Sequence, residues 1–395
     1  MKINYKKTIV ACYIGSIVQA IINNFLPLLF VFFATNYKIP LLVISIIATF
    51  NFALQIFFDS ICYKIIKAIG YRKTIVISHL FCGIGLIILG FFTLFSSSTT
   101  YTCIMLFVAT FFMASGGGII EVTTSPLINA LPLDNKESAM SLHHSFFPIG
   151  HILTVVLSTL YFVFVGIEYW YYLALLLAIV PLINVINFTC CPIILPEGDT
   201  KPSSRKKLFS NSTFILLIAL MISAGASETA LGQFLSFFAE EGLNVSKTLG
   251  DIIGVCSFAF FMMLSRILHS TILKNFNLIK LCLTFSIMLA SCYILSVVVP
   301  LPTLALIFTA LCGFFVGLLW PATYSIASRF FPLGGTFMFS MLALGGDIGC
   351  TIAPTIVGFV ASFSSIKLGI LLASIFPILA TIFLVILLKK SKTKV

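Results

Sequence analysis

The stretch Leu195-Pro-Glu-Gly-Asp-Thr-Lys-Pro-Ser-Ser-Arg-Lys-Lys207 decides how this chain of 395 residues is read. It lies near the chain centre and collects Pro, Gly, Ser and charge, the residues that break periodic structure. Working outward, it belongs to a polar linker over residues 194–212, with six long apolar runs on either side. The runs before it cover 8–34, 40–63, 73–95, 101–129, 139–165 and 169–193. Those after it cover 213–239, 248–272, 278–299, 302–330, 335–363 and 366–388. At 1.5 Å per residue, each can cross an apolar layer of about 30 Å as a helix. The runs are continuously apolar and do not alternate, which excludes a transmembrane β-barrel. The expected fold is an all-α polytopic membrane protein, twelve transmembrane helices in two six-helix halves, residues 1–193 and 213–395.

Composition requires the same solvent. Hydrophobic residues make up 60% of the chain and charged residues only 9%, with mean hydropathy +1.15. A soluble domain carries about 25% charged residues, so a soluble enzyme, a disordered chain and a coiled coil are excluded together. The formal net charge of +11 would suit nucleic acid, but the cations sit in short clusters between apolar runs. If the N-terminus is placed inside, 20 Lys and Arg fall on that side and 3 (Lys38, Lys247 and Lys367) on the other. That bias follows the positive-inside rule and puts both termini in the cytoplasm of a multi-pass plasma-membrane protein. The first apolar run is too long for a cleaved signal and reads as a retained helix. Eleven cysteines scatter through apolar segments with no CxxC, so no disulfide framework, metal site or cofactor is expected.

An internal repeat accompanies the central linker. Gly118-Ile-Ile-Glu121 aligns with Gly317-Leu-Leu-Trp320, and Ile149-Gly150 with Ile348-Gly349 at the same offset. Asn24-Phe-Leu aligns with Gln233-Phe-Leu, which sets Gln19 opposite Glu228. Polar residues inside the spans are costly in lipid and so mark candidate sites. They fall at helical spacing on single faces: Gln19 and Asn23; Asn51, Gln55 and Asp59; Glu121, Thr124 and Ser125; His144, Pro148 and His151; Trp320 and Tyr324; Asp347 and Thr351. Spans three, six, nine and twelve hold no acidic residue.

This partition resembles the major facilitator superfamily, in which helices 1, 4, 7 and 10 line a cavity and helices 3, 6, 9 and 12 are scaffold. The run Asp59-Ser-Ile-Cys-Tyr-Lys64 to Gly70-Tyr71-Arg72-Lys73 resembles a stretched form of that family's gating motif, which implies a latch made by Asp59, Arg72 and Lys73. Gly116-Gly-Gly-Ile-Ile-Glu121 followed by Ser141-Leu-His-His-Ser-Phe-Phe-Pro-Ile-Gly150 is similar to the fucose/glucose permease-like branch. The resemblance implies sugar transport coupled to a proton or sodium ion, with Glu121 as the helix 4 acid. The helix 1 acid of that branch has no counterpart, Asn23 or Asn24 standing there.

Candidate coupling residues are therefore Glu121, Glu228, Asp347 and His144. Candidate solute-binding residues are Gln19, Asn23, Asn51, Gln55, Gln233, Trp320 and Tyr324. Bland readings stand beside these. Glu228 has a structural reading, an acid bonded to a neighbouring helix, beside the favoured one as proton carrier or solute acceptor, and Glu121 reads equally as a gate bond to the opposite half. Asp347 follows Gly345-Gly346, a place for close helix packing. A single Trp such as Trp320 serves a core as well as a sugar ring. No catalytic constellation stands out, so the expected protein is a transporter, not an enzyme. Its partners are a small solute, a coupling ion (H+ or Na+) and lipid, with no nucleic acid, and a monomer is expected. The alternative is proton-driven efflux of amphiphilic or cationic drugs, which 41 Phe and several cavity acids would also suit.

Overall fold

A computed structural model describes residues 4–92, 98–200, 205–246 and 250–392. Lys2, Lys201, Lys247 and Lys394 lie outside these residues. So do the expected span end at 93–95, the expected span start at 248–249, and residues 201–204 of the expected linker. Among the described residues the secondary structure is helical, without strands. Twelve helices are long and apolar enough to cross a membrane. They are α1 (Lys6–Leu28), α2 (Ile46–Ile69), α3 (Tyr71–Phe91), α4 (Thr99–Ala130), α5 (Lys136–Phe164) and α6 (Ile167–Cys190). Then follow α7 (Ser212–Gly232), α8 (Ile253–Thr271), α9 (Leu278–Val298), α10 (Pro302–Phe330), α11 (Gly335–Phe363) and α12 (Ile366–Ser391).

Local chemistry sets many of the ends. Ser98, Asn211, Asn277 and Ser365 accept hydrogen bonds from backbone N–H groups of the first turns of α4, α7, α9 and α12. Pro302 opens α10, where a missing N–H costs nothing. Gly70, at φ +87°, makes the corner between α2 and α3, a conformation that suits a residue without Cβ.

Three boundaries differ from the sequence reading. The first apolar run breaks at Leu29 into α1 and a short helix, Phe30–Asn36. The second does not stop at 63: its helix runs to Ile69, so Asp59 lies inside it and Lys64 and Lys67 ride on its last turns. The seventh run ends its regular helix at Gly232, and Phe238–Gly242 forms a π-helical turn.

The chain divides into two compact units. One comprises residues 1–131 and 149–196, the other residues 132–148 and 197–395. Thus α5 contributes its first part to the second unit and its remainder to the first. In the first unit α4 packs on α1, α2 and α3, while α6 packs on α1 and α3. In the second, α10 packs on α7, α8 and α9, while α12 packs on α7 and α9. The same arrangement is thus built twice, six helices apart.

Glycines make these packings possible. On α4, three successive glycines face three different neighbours. A Cβ would meet Ser78 and Cys82 of α3 at Gly116, Ile22 of α1 at Gly117, and Gln55 and Asp59 of α2 at Gly118. Successive positions on a helix point about 100° apart, so a glycine triplet opens three faces of one helix at one level. Gly150 and Gly349, paired by the repeat, also act alike. A Cβ at Gly150 would lie 2.9 Å from the Ile17 Cα, and one at Gly349 would lie 2.1 Å from the Ile222 carbonyl oxygen.

Apolar clusters fill each unit. In the first, Trp170 is fully buried and meets the Phe33 ring edge-on at 5.1 Å. The second includes Phe214, Phe238, Phe339 and Tyr293. Bulky apolar side chains such as Phe164 and Phe359 point outward, as expected where the solvent is lipid. Asp199, in the short helix Glu197–Thr200, accepts from the backbone N–H of Thr336 at 2.9 Å and from its hydroxyl at 2.5 Å, capping α11. Burial raises the Asp199 carboxyl above its ordinary value, and the two Thr336 hydrogen bonds pull it back.

Overpacking a tight helix contact costs about 1–3 kcal/mol. Gly349→Val is therefore expected to lower the thermal midpoint of the detergent-purified protein by several degrees. Gly232→Ala, whose Cβ would meet Phe258 at an ordinary 3.6 Å, is expected to leave it within a degree or two. Differential scanning fluorimetry of both variants checks this.

Candidate functional site

In the first unit, polar side chains from three spanning helices meet. Gln19 and Asn23 lie four residues apart on α1, and Asn51 and Gln55 four apart on α2, so each pair shares one helix face. Gln19 Nε2 donates to Glu121 Oε2 of α4 at 2.5 Å. Gln55 Nε2 donates to Asn23 Oδ1 at 2.9 Å, and Asn51 Nδ2 approaches the same oxygen at 3.4 Å. Glu121 and Gln55 are buried, while Gln19, Asn23 and Asn51 are half-buried. The arrangement offers amide donors and acceptors in partly open positions beside one carboxylate. Such groups can bind hydroxyls, and they supply no fixed cation.

Asp59, one turn beyond Gln55, is fully buried with its carboxylate against Gly118. Arg72 is engaged elsewhere. Its guanidinium donates to the carbonyls of Phe188, Thr189 and Cys191 at 2.6, 2.8 and 2.9 Å. These are carbonyls at the C-terminal end of α6, which have no intrahelical donor. The expected latch of Asp59 with Arg72 and Lys73 is thus corrected for Arg72, which caps a helix within its own unit. The carbonyl demand is local and fixed, so it holds the guanidinium where it is. His79, Asn184 and the Ala11 carbonyl form another interhelical tie in this unit, with Asn184 Nδ2 2.9 Å from each partner.

The second unit carries a charge pair that the sequence reading missed. Glu228 Oε2 of α7 lies 3.4 Å from Arg266 Nη2 of α8. Arg266 is one of the 20 cations that the charge count puts on the inner side, although it falls within the expected span 248–272. The side chain of Arg266 is 3% exposed, and it also donates to the carbonyls of Gly317 and His144 at 2.7 Å each. The periodicity of α8 places Ser265, Arg266 and His269 on its buried side. What the sequence did offer was Pro148 and Pro321, each four residues beyond one of those carbonyls.

Tyr324 also departs from expectation. Its ring is stacked on His144 at 5.6 Å and on Phe339 at 5.0 Å, and the residue is fully buried. Both faces are covered, so in this arrangement it is packing and offers no platform to a sugar. Trp320 lies across Gly346, where a Cβ would come within 2.2 Å of the indole. Asp347 is buried beside it on α11 and receives the Thr351 hydroxyl at its backbone carbonyl, 2.8 Å away. Gln233 is exposed at the end of α7, with its backbone N–H closing the last turn. No group of three or more metal-ligating side chains exists among the described residues.

Losing a guanidinium from three partly exposed helix-end carbonyls costs about 1–3 kcal/mol, and an ammonium cannot fork across them. Arg72→Ala is expected to lower the thermal midpoint, and Arg72→Lys to recover less than half the loss, as read by tryptophan fluorescence during heating.

Comparison with known proteins agrees with this architecture. No curated protein matches the sequence. Among solved structures, the E. coli fucose:proton symporter FucP has a TM-score of 0.78 at 16% identity, covering 96% of this chain and 98% of that one. FucP in an outward conformation gives 0.80 at 15% identity with the same coverage. The proton:xylose symporter XylE gives 0.80 at 11% identity, covering 95% of this chain and 94% of that one. At such identities these structures establish the fold. The sequence profile of the Major Facilitator Superfamily matches residues 12–332. With twelve spanning helices built as a repeated packing and a family match over most of its length, the chain belongs to the major facilitator superfamily and is a multi-pass membrane transporter.

Proposed function

We propose that this transporter moves a small neutral polar solute, a sugar, by alternating access and in symport with a proton. The observation that carries the reading is the group of amides on α1 and α2, Gln19 bonded to Glu121 and Asn51 and Gln55 both turned to Asn23. Amides present donors and acceptors in equal number, which suits a polyhydroxylated ring better than an ion. A carboxylate inside a membrane-spanning helix is a candidate for taking up and releasing a proton during transport. Both solved relatives are described as sugar:proton symporters, which agrees with this reading. Glu121 is the first candidate for coupling, with Asp347 as a second and sodium as the alternative ion. In the second unit, Trp320 and Gln233 are kept as candidate solute-binding residues.

The halves 1–193 and 213–395, joined by 194–212, would rock against each other during transport. The reading takes both termini as cytoplasmic, which the cation bias supports, in a plasma-membrane protein that acts as a monomer.

Uptake of a panel of radiolabelled hexoses, pentoses and deoxy sugars by expressing cells tests the solute class. At least one sugar is expected to accumulate above its external concentration and to lose that accumulation when the proton gradient is collapsed. Glu121→Gln keeps the hydrogen-bonding shape and removes titration, so accumulation is expected to fall at least tenfold while exchange of labelled for unlabelled sugar survives. Absence of uptake for every sugar, together with extrusion of lipophilic cations, would instead establish efflux. A reporter that fluoresces only in the cytoplasm, fused after Val395, is expected to be bright, and a dark fusion would reject the orientation.

A further inference from the structure

In an α-helix the carbonyl of each residue accepts from the N–H four residues on. Proline has no N–H, so a proline within a helix leaves the carbonyl four residues before it without its usual donor. Pro148 does this to His144 in α5, and Pro321 does it to Gly317 in α10. Both orphaned carbonyls are filled by one side chain. Arg266 donates through Nη1 to His144 and through Nε to Gly317, each at 2.7 Å. Its remaining nitrogen, Nη2, faces Glu228 Oε2 at 3.4 Å. A single guanidinium therefore ties α8 to α5, α10 and α7. The backbone of the same residue adds another tie, since Ser141 Oγ donates to the Arg266 carbonyl at 3.0 Å.

Carbonyl dipoles can share a buried guanidinium, but they do not neutralise it. Glu228 is the carboxylate that does. Other titratable groups face the pair. His143 and His144 of α5 are close enough to feel the Arg266 charge, and Tyr293 of α9 feels that of Glu228 while its hydroxyl donates to Ser227. Tyr324 of α10 is reached through His144, on which it stacks, and Asp347 of α11 follows Gly346, which abuts Gly225 one turn from Glu228.

We propose that Arg266 is a positioning residue, a clasp that seats residues 136–148 of α5 on α8 and α10, and that the negative charge of Glu228 sets how firmly it holds. With the charge present, the guanidinium stays buried and both proline-orphaned carbonyls are satisfied. With the charge removed, the guanidinium loses its carboxylate partner and is drawn toward water, so the seat on α5 loosens. Any link from this clasp to solute movement rests on the symport reading and on Glu228 joining Glu121 and Asp347 as an acid that gains and loses a proton. The clasp itself does not.

The test needs no solute. Ser145→Cys reports on the segment: the residue is fully buried, and its hydroxyl bonds only within its own helix, to Leu142. Labelling of the detergent-purified full chain by a fluorescent maleimide is measured against the same chain without the added cysteine. Glu228→Gln keeps size and removes charge, whereas Glu228→Asp keeps charge and changes size. Labelling is expected to rise on the order of tenfold for Gln, the scale of one lost charged hydrogen bond, and to stay near the parent for Asp. Pro148→Ala supplies His144 with an intrahelical donor and removes its need for Arg266. Labelling should rise there too, and adding Glu228→Gln should raise it little further. A thermal unfolding scan confirms that each variant is folded. Fast labelling with Asp and slow labelling with Gln would mean that shape, not charge, sets the seat, and would overturn the proposal. So would additive effects of Pro148→Ala and Glu228→Gln. Neither result bears on which solute the cells take up, so the clasp and the symport reading fail separately.

Discussion

A backbone carbonyl or N–H inside a membrane has no water to turn to, and this requirement governs the rest of the structure. It forces the chain into helices. It then makes every helix interruption a debt that some side chain must settle. Prolines within the spans create such interruptions at 126, 148, 181 and 354 in continuous helices and at 321 just past the break in α10. Arg266 answers two of them. The Thr229 hydroxyl approaches a third, the Cys350 carbonyl left by Pro354, at 3.4 Å. Helix ends follow the same rule, as Arg72 shows at the last turn of α6. Cations that a hydropathy reading assigns to loops are thus partly structural donors.

Close packing is the second consequence. Helices in lipid gain little from burying apolar surface against each other, so they depend on approach distance and van der Waals contact. The three glycines Gly116, Gly117 and Gly118 let α4 touch α3, α1 and α2 at one level, directly above the carboxylate of Glu121 in the chain. The site residues are positioned by that tight core. Gln19 reaches Glu121, and Gln55 reaches Asn23, because α1, α2 and α4 are held close enough for short side chains to meet. In the second unit the corresponding level is taken by Gly317, the Arg266 guanidinium and Trp320. One repeat has thereby been used for two different electrostatic purposes, an amide cluster around an acid in one unit and a compensated ion pair in the other.

The fold is legible in the order of residues alone. Length, apolar run count, the central polar linker and the lopsided cation distribution each depend only on composition along the chain, and lipid imposes the helix. The polar faces were legible too, because a period of 3.6 puts Gln19 with Asn23 and Asn51 with Gln55. Partners across helices were not. Nothing in the run Ser265-Arg-Ile-Leu-His269 says that its arginine turns inward, and the clue lay far away, in prolines at 148 and 321. The expected end of the second span at 63 treats Lys64 and Lys67 as loop cations, whereas long stems let lysines ride on a helix whose last turns leave the apolar layer.

By itself the sequence determined the solvent, the number of spans, the family resemblance and which helix faces are polar, since all of these follow from the order of apolar and polar residues along one dimension. The tertiary structure decided which polar groups meet. It paired Gln19 with Glu121, gave Glu228 a cation from another helix, covered both faces of Tyr324 and spent Arg72 on a helix end. The reason is that a buried polar atom is satisfied by whatever lies within about 3 Å of it. In a bundle of long helices that neighbour is set by glycine contacts and proline breaks tens to hundreds of residues away in the chain.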